Sequence, residues 1–310
     1  MRAEGHAPLG TAGHNPGFLL VDWPLPWPKD IGAVPELEAV HELAAPLGVR
    51  VQAVAPSTAD GDHHVVLHRS DGPGFAGYRR SARAVRQGDV VDAALALLAS
   101  WDAADATPDG GASASAEASA APVDASTAHL GDVLVCAHGR RDPCCGRDGT
   151  LLAAELLVDP ALRAAGYRVG RTSHTGGHRF APTAIVLPQG TMWAFLDAGM
   201  VRAVVERQGP VEAVLPSFRG STGLGSPVVQ ALERHAFGAV GWDWLDWRRH
   251  GRDAGEGRVA LDAVSPTSER ASWEAAFGTT PRPVPDCGKP LEDAPKHHDE
   301  PVLLDVRRTA

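Results

Sequence analysis

A segment of small and polar residues, from 103 to 127, divides the chain into two parts that carry the same pattern of strands and helices. The segment is dominated by Ala, Ser, Gly, Asp and Pro. It has no large apolar side chain whose burial could offset the cost of ordering the backbone. We interpret it as a linker between two folding units, which agrees with the domain number expected of 310 residues.

The residues on either side of the linker predict two α/β units of the order β-α-β-β-α, at 1–102 and 128–209. In the first unit, hydrophobic spacing predicts strands at 17–23, 49–54 and 65–68 and helices at 35–47 and 89–99. In the second unit it predicts strands at 131–135 and 169–172, a hairpin of 184–187 with 192–196, and helices at 150–165 and 199–207. Two copies of one layout indicate a structural repeat.

The remaining residues, 210–310, predict a helical and irregular C-terminal extension. A helix is expected at 226–235, and the residues after His250 are expected to be mostly loop. Trp242, Trp244 and Trp247 are interpreted as part of a core.

Charge and hydropathy exclude several classes of partner. The chain carries 29 Lys and Arg against 38 Asp and Glu, a net charge of −9, whereas a nucleic-acid footprint needs a basic surplus. No apolar stretch of about eighteen residues occurs, and the first ten residues lack the apolar region of a signal peptide. We therefore predict a cytoplasmic protein that binds neither nucleic acid nor membrane.

Three of the four cysteines lie within ten positions. Cys136 directly follows the strand predicted at 131–135, and Cys144 and Cys145 come shortly after it. Adjacent cysteines have poor geometry for a structural disulfide. In a reducing compartment, this clustering indicates metal or redox chemistry.

Two histidines follow the neighbouring strand, so four possible ligands meet at one sheet edge. With Cys136 and Cys145 as the thiols and His174 and His178 as the imidazoles, the spacing is Cys-x8-Cys-x28-His-x3-His. Zinc suits a Cys2His2 set, although these loops are longer than those of a zinc finger. A [2Fe–2S] cluster takes ligands from two separated loops, and imidazoles replace two thiolates in Rieske-type centres. The spacing leaves both metals open.

The motifs resemble those of the sucrase/ferredoxin-like proteins, a branch of thioredoxin-like [2Fe–2S] ferredoxins. The motifs are Cys136 with Arg141-Asp142-x-x-Cys145-Gly146, His174-x-Gly-Gly-His178, Pro-Leu-Gly-Thr-Ala at 8–12, and Phe-Arg-Gly-Ser-Thr-Gly-Leu at 218–224. The resemblance implies two thioredoxin-like modules and one [2Fe–2S] cluster. It implies thiolates from Cys136 and Cys145 on a buried iron, and imidazoles from His174 and His178 on an outer iron. Cys144 stays an alternative to Cys145.

The function implied is single-electron transfer coupled to proton uptake, between donor and acceptor proteins that the sequence does not identify. A structural Cys2His2 zinc protein is the main alternative, followed by a thiol–disulfide oxidoreductase, which would normally show Cys-x-x-Cys. No pair of carboxylates marks the chain as a hydrolase. Within the cysteine loop, His138 is predicted to form hydrogen bonds rather than to bind metal, and residues 140–142 to fix the loop through a salt bridge or cap.

Overall fold

The computed structural model describes residues 7–56, 62–101, 129–284 and 289–310. The predicted linker at 103–127 lies outside the described residues, as does Cys287. The linker and the domain boundaries drawn around it therefore stay predictions.

The strands are β1 (Gly17–Asp22), β2 (Val49–Val54), β3 (His63–Ser70), β4 (Tyr78–Val85), β5 (Gly131–Cys136), β6 (Tyr167–Thr172), β7 (Ala184–Leu187), β8 (Thr191–Trp193), β9 (Phe218–Ser221), β10 (Arg248–Gly255), β11 (Arg258–Val264), β12 (Arg270–Val284) and β13 (Lys296–Arg308). The helices are α1 (Glu38–Ala44), α2 (Val90–Ala99), α3 (Thr150–Leu157), α4 (Pro160–Ala164), α5 (Ala198–Glu206) and α6 (Pro227–Val240). A π-helical turn, Cys145–Gly149, leads into α3.

Strand pairing confirms the α/β class and shows the repeated layout. Within the described residues, strands β1 to β9 form one mixed sheet in the order β4-β3-β1-β2-β6-β5-β7-β8-β9. In each half the first strand pairs parallel with the second and antiparallel with the third, as β1 does with β2 and β3, and β5 with β6 and β7. Both halves therefore have the strand order of one module type, as the resemblance implies.

The two halves meet where β2 and β6 overlap at their carboxyl ends. The strands are antiparallel and pair at Val54 and Thr172. The backbone N–H of Ser173 donates to the carbonyl oxygen of Ala53 at 2.8 Å. Because the two strands run in opposite directions, the chain that leaves β6 passes back along β2. Residues that follow β6 are therefore placed against the first half.

A buried ion-pair network also joins the halves. Arg168, in β6, places Nη1 3.0 Å from Oδ1 of Asp22 and Nε 2.7 Å from Oδ1 of Asp132. Burial opposes ionisation of Asp132, but Arg168 and the hydrogen bond with His68 hold the pKa of this carboxyl well below its usual value. Asp22 is the last residue of β1 paired with β2, as Cys136 is the last residue of β5 paired with β6. The first half thus carries an ion pair where the second carries a thiol.

Both faces of the large sheet are buried, which explains its continuous apolar strands. Along β1, Leu19 and Val21 belong to a core cluster with residues of α1 and α2, whereas Phe18 and Leu20 belong to a larger cluster on the opposite face. Successive side chains of a strand point to opposite faces, so a strand covered on both sides is apolar throughout.

The helix predicted at 150–165 is divided into α3 and α4. Pro160 has no backbone N–H and cannot continue a helix, but it is well placed in the first turn of a new one. The Asp159 side chain accepts a hydrogen bond from the backbone N–H of Ala161 at 2.9 Å, which caps α4.

Strand β4 was not predicted from the sequence. It is paired antiparallel with β3 and forms one edge of the large sheet. After the buried Tyr78, its side chains are exposed or half-buried, and they include Arg79, Arg80 and Arg83. A polar edge strand has little apolar signal because one of its sides faces solvent.

The prediction of a mostly loop-like segment after His250 is wrong. Among the described residues, β10 to β13 form a separate antiparallel sheet in sequence order. In β12 the buried Ala271, Trp273 and Ala275 alternate with more exposed residues. Two of these three inward positions are alanines, so the alternation of strong hydrophobics that indicates a strand is missing.

Helix α6 confirms the helix expected at 226–235 and extends it to Val240. Trp244 and Trp247 are buried as predicted, and the ring of Trp244 lies 5.3 Å from that of Trp273 in the C-terminal sheet. In the described part of the chain, no helix is both long and apolar enough to span a bilayer.

Candidate metal centre

The proposed thiol ligands lie together at the carboxyl end of β5. Cys136 is 0% exposed and Cys145 is 1% exposed, and their side chains are joined by a hydrogen bond. That bond is the largest influence on the Cys136 thiol. Together with the backbone N–H groups of Thr175 and His138, it outweighs burial and lowers the pKa of Cys136 to about 5. The lowered pKa favours the thiolate form of Cys136, which is the form that binds metals.

Glycines near the thiols allow neighbouring backbone segments to approach each other closely. A Cβ atom added to Gly149 would lie 1.9 Å from the carbonyl oxygen of Cys136, and one added to Gly146 would lie 2.4 Å from Cα of Gly139. Only glycine fits such positions. These contacts hold the π-helical turn against the cysteine loop. Single π-helical turns are frequent at functional sites.

The adjacent cysteines face different surroundings. Cys145 is buried beside Cys136, whereas Cys144 is half-buried and lines a cavity of about 420 Å³ together with His178. The structure thus places Cys145, and not Cys144, against the first thiol.

The two histidines lie around one carboxylate. Nδ1 of His174 is 2.7 Å from Oδ2 of Asp142, and Nδ1 of His178 is 4.0 Å from Oδ1. Burial would raise the pKa of Asp142, but the contact with His174, the charge of His178 and that of Arg141 hold it below its usual value. Asp142 therefore fixes the loop as predicted, and its contacts within 4.0 Å are with the two histidines rather than with a neighbouring arginine.

His138 forms hydrogen bonds through both ring nitrogens, as predicted. Its Nδ1 accepts from the backbone N–H of His174 at 3.2 Å, and its Nε2 lies 2.7 Å from the carbonyl oxygen of Pro28. Because Nδ1 accepts, Nε2 carries the proton and donates to Pro28. The ring packs edge-on against Trp27 and is 3% exposed, so His138 holds the cysteine loop to the histidine loop.

The first half of the chain holds the histidine loop in place. The carbonyl oxygen of His174 accepts from Nη2 of Arg50 at 2.5 Å and from Nε2 of Gln52 at 3.2 Å, and both donors lie in β2. The side chain of Ser173 donates to Oε1 of Gln52 at 3.1 Å. The seam between the two halves is thus part of the site.

Arg219, which was not among the predicted site residues, connects the motif at 8–12 to the histidine loop. It donates from Nε and Nη2 to Thr11 at 2.9 and 2.6 Å, and from Nη1 to the carbonyl oxygen of Gly176 at 3.1 Å. Burial lowers the pKa of Arg219 to about 9, and the charges of Arg179 and Arg50 act in the same direction. The motifs at 8–12 and 218–224 were the only signal for this contact, and nothing in either motif indicated its chemistry.

Two thiols and two imidazoles are donors whose chemistry suits a [2Fe–2S] cluster and also suits zinc. Among the residues that the structure describes, no three His, Cys, Asp or Glu side chains are grouped closely enough to hold one metal ion. The structure instead brings the thiols together as one pair and the histidines around Asp142 as another.

Comparison with protein families identifies a family for this chain. The model of the sucrase/ferredoxin-like family matches residues 9–220 of the 310-residue chain, which is more than half of it. The matched region includes all four proposed ligands and Arg219. No curated protein and no solved structure matches the chain.

Proposed function

The chain belongs to the sucrase/ferredoxin-like family, and we propose that it is an electron-transfer protein that carries one [2Fe–2S] cluster. The ligands would be Cys136, Cys145, His174 and His178. The observation that carries this proposal is the buried contact between the two thiols beside a loop with two histidines; the contact lowers the pKa of Cys136 and so favours its thiolate form. When bound, such a cluster takes up and returns one electron.

The residues around Cys136 stabilise negative charge at the thiol pair. The backbone N–H groups of Thr175 and His138 donate to its sulfur, and the guanidinium groups of Arg50 and Arg219 act on it electrostatically. Hydrogen bonds to ligand sulfur favour the reduced form of an iron–sulfur centre. This part of the chain would therefore raise the reduction potential.

The histidines lie on the solvent side of the proposed centre. Their side chains are 23% and 20% exposed at His174 and His178, whereas both cysteines are buried. Asp142 can orient the ring of His174, since its Oδ2 lies 2.7 Å from Nδ1. An added electron would draw a proton to an imidazole, so we propose that electron transfer is coupled to proton uptake.

Iron and sulfide counts test the proposal directly. The full chain, purified without oxygen, is expected to contain two irons and two sulfides, to absorb in the visible region and to give an EPR signal on reduction. A colourless protein with one zinc per chain would support the structural zinc alternative. A metal-free protein whose thiols exchange with a dithiol would support the thiol–disulfide alternative, for which the contact between Cys136 and Cys145 is the favouring observation.

The partners would be a redox donor and a redox acceptor, which we expect to be proteins. We place the protein in the cytoplasm, because clustered thiols stay reduced there.

A further inference from the structure

A cavity of about 310 Å³ lies beside the histidine loop, and none of the four proposed cluster ligands lines it. We call it the arginine cavity. Its walls are Gly10, Thr11, Ala12, Gly13, Arg50, Thr175, Gly176, Gly177, Arg179, Arg219 and His298. Three of these residues are arginines, and among the described residues no Asp or Glu lines the cavity.

The arginines of the arginine cavity are not directly ion-paired, although Glu300 acts on Arg179 from a longer distance. Within the described ranges, Arg50, Arg179 and Arg219 form no ion pair with Asp or Glu within 4.0 Å. Burial lowers the pKa of each, and for Arg219 the two other arginines lower it further. The negative groups that act on Arg219 are the Cys136 and Cys145 sulfurs, Cys136 also acts on Arg50, and Glu300 acts on Arg179. An oxidised cluster with two thiolates and two neutral imidazoles is formally neutral, so cluster binding would cancel the thiolate charge that faces Arg50 and Arg219.

Hydrogen-bond donors remain at this cavity. Arg219 has five N–H donors, and its three hydrogen bonds to Thr11 and Gly176 leave one N–H on each terminal nitrogen. Arg179 is held by stacking, with its guanidinium carbon 4.3 Å from the ring centre of Phe180. Nε2 of His298 is buried and has no hydrogen-bond partner among the described residues. A buried polar atom without a partner indicates a missing hydrogen-bond partner, and the remaining N–H groups of Arg219 can donate to an acceptor.

The shape of the cavity favours a small ligand. A Cβ added to Gly177 would lie 2.7 Å from Nη2 of Arg219, so this guanidinium packs directly against the histidine loop. Arg219 is 2% exposed, which places it beyond the reach of a flat protein surface. A Cβ added to Gly176 would meet nothing within 4 Å, so the space beside this residue is open.

We propose that the arginine cavity binds a small oxyanion, either a phosphate or a carboxylate. Guanidinium groups bind both through paired N–H donors. The bound anion would place negative charge beside the thiol pair. Anion binding therefore favours the oxidised protein, and by reciprocity oxidation favours anion binding. This last effect rests on the proposed function, whereas anion binding itself does not.

Calorimetry on the full chain as purified tests the site. Inorganic phosphate and malonate are titrated separately, with sodium chloride at equal ionic strength as the blank. We expect one site per chain for at least one of the two anions. Arg179→Gln should lower the affinity for the anion about tenfold or more, because a charged hydrogen-bonding group is lost. Arg179 takes no part in the contacts of Arg219, so its loss should leave the melting temperature of the chain nearly unchanged.

The matched control is Arg248→Gln, which removes an arginine of β10 that donates to backbone oxygens far from the cavity. Arg248→Gln should leave the affinity for the anion unchanged. Arg179→Lys should bind the anion more tightly than Arg179→Gln does, because the positive charge is kept. Equal weakening by both glutamine variants would mean non-specific charge attraction and would overturn the site. So would a failure of both anions to bind, or binding of hexaglutamate alone, which would indicate a protein partner. Iron content is measured on the same samples, so a protein without a cluster that still binds phosphate refutes only the proposed function.

Discussion

The acidic thiol of Cys136 makes the stability of the metal-free chain depend on pH, and Cys145→Ala should remove most of this dependence. In the folded chain the pKa of Cys136 is lowered from 9.0 to about 5, chiefly by the Cys145 hydrogen bond. An acid whose pKa is depressed by folding stabilises the folded state fully above its unfolded-state pKa. That stabilisation is lost as the pH falls through the folded-state value.

The expected magnitude follows from this interval. Between the two pKa values, the free energy of unfolding should rise by about 1.4 kcal/mol per pH unit, to a total of up to roughly 5 kcal/mol. Cys145→Ala leaves the Cys136 thiol with the N–H groups of Thr175 and His138 against the full effect of burial. The pKa of Cys136 should then move upward. From about pH 6 to pH 8, the free energy of unfolding should depend on pH only as much as the remaining titrating groups require.

The assay is urea unfolding of the chelator-treated, reduced chain at a series of pH values, with thiolate absorbance followed on the folded protein. The readout is the slope of the free energy of unfolding against pH. Stability itself is not used, because truncation of a buried side chain lowers it at every pH. Cys144→Ala is the matched control and should keep both the slope and the absorbance step near the Cys136 pKa of about 5. Parallel stability curves for the parent chain and Cys145→Ala would refute the reasoning.

Three further outcomes test the proposed cluster. Cys145→Ser should abolish or strongly distort the visible iron–sulfur absorption while Cys144→Ser leaves it nearly intact, since serine is a poor substitute for a thiolate ligand; the reverse result would make Cys144 the ligand. His174→Cys or His178→Cys should make reduction harder, because a negative ligand replaces a neutral one; an unchanged or higher midpoint potential would argue that the replaced histidine is not bound to iron. In protein-film voltammetry, the midpoint potential should fall by up to about 59 mV per pH unit above the pKa of the imidazole proton in the oxidised form and stay flat below it. A potential independent of pH over the whole accessible range would contradict proton uptake at solvent-exposed histidines.

The repeated α/β layout could be predicted because its inner strands are apolar on both faces. Such strands leave a strong signal in the sequence, as Phe18 to Val21 do in β1. Strand β4 and the C-terminal sheet leave little signal, since arginines dominate the first and small residues fill the inner face of the second. Strands of this kind are stabilised by pairing with neighbours distant in sequence, which a local pattern does not contain.

The sequence predicted that the loops with the sulfur and imidazole donors lie next to each other. It did not predict the side chains that hold these loops in place. The placement of Cys136 and His174 after adjacent strands was enough to bring the two loops together. The donors on the His174 carbonyl come from a strand more than a hundred residues earlier, and the contact between Arg219 and Thr11 spans 208 positions. Nothing local in the sequence relates residues at such separations.

The ion pair at the end of β1 bears on how many electrons the chain can hold. Asp22 lies at the position that Cys136 occupies in the second half, and its carboxylate forms an ion pair with Arg168. Under the proposed function, the described part of the repeat would therefore hold one centre, in its second half. Under the proposed function, the protein delivers a single reducing equivalent in each encounter. An acceptor that needs two would have to meet two molecules, or the same molecule twice, and would need to stabilise its own half-reduced state in between.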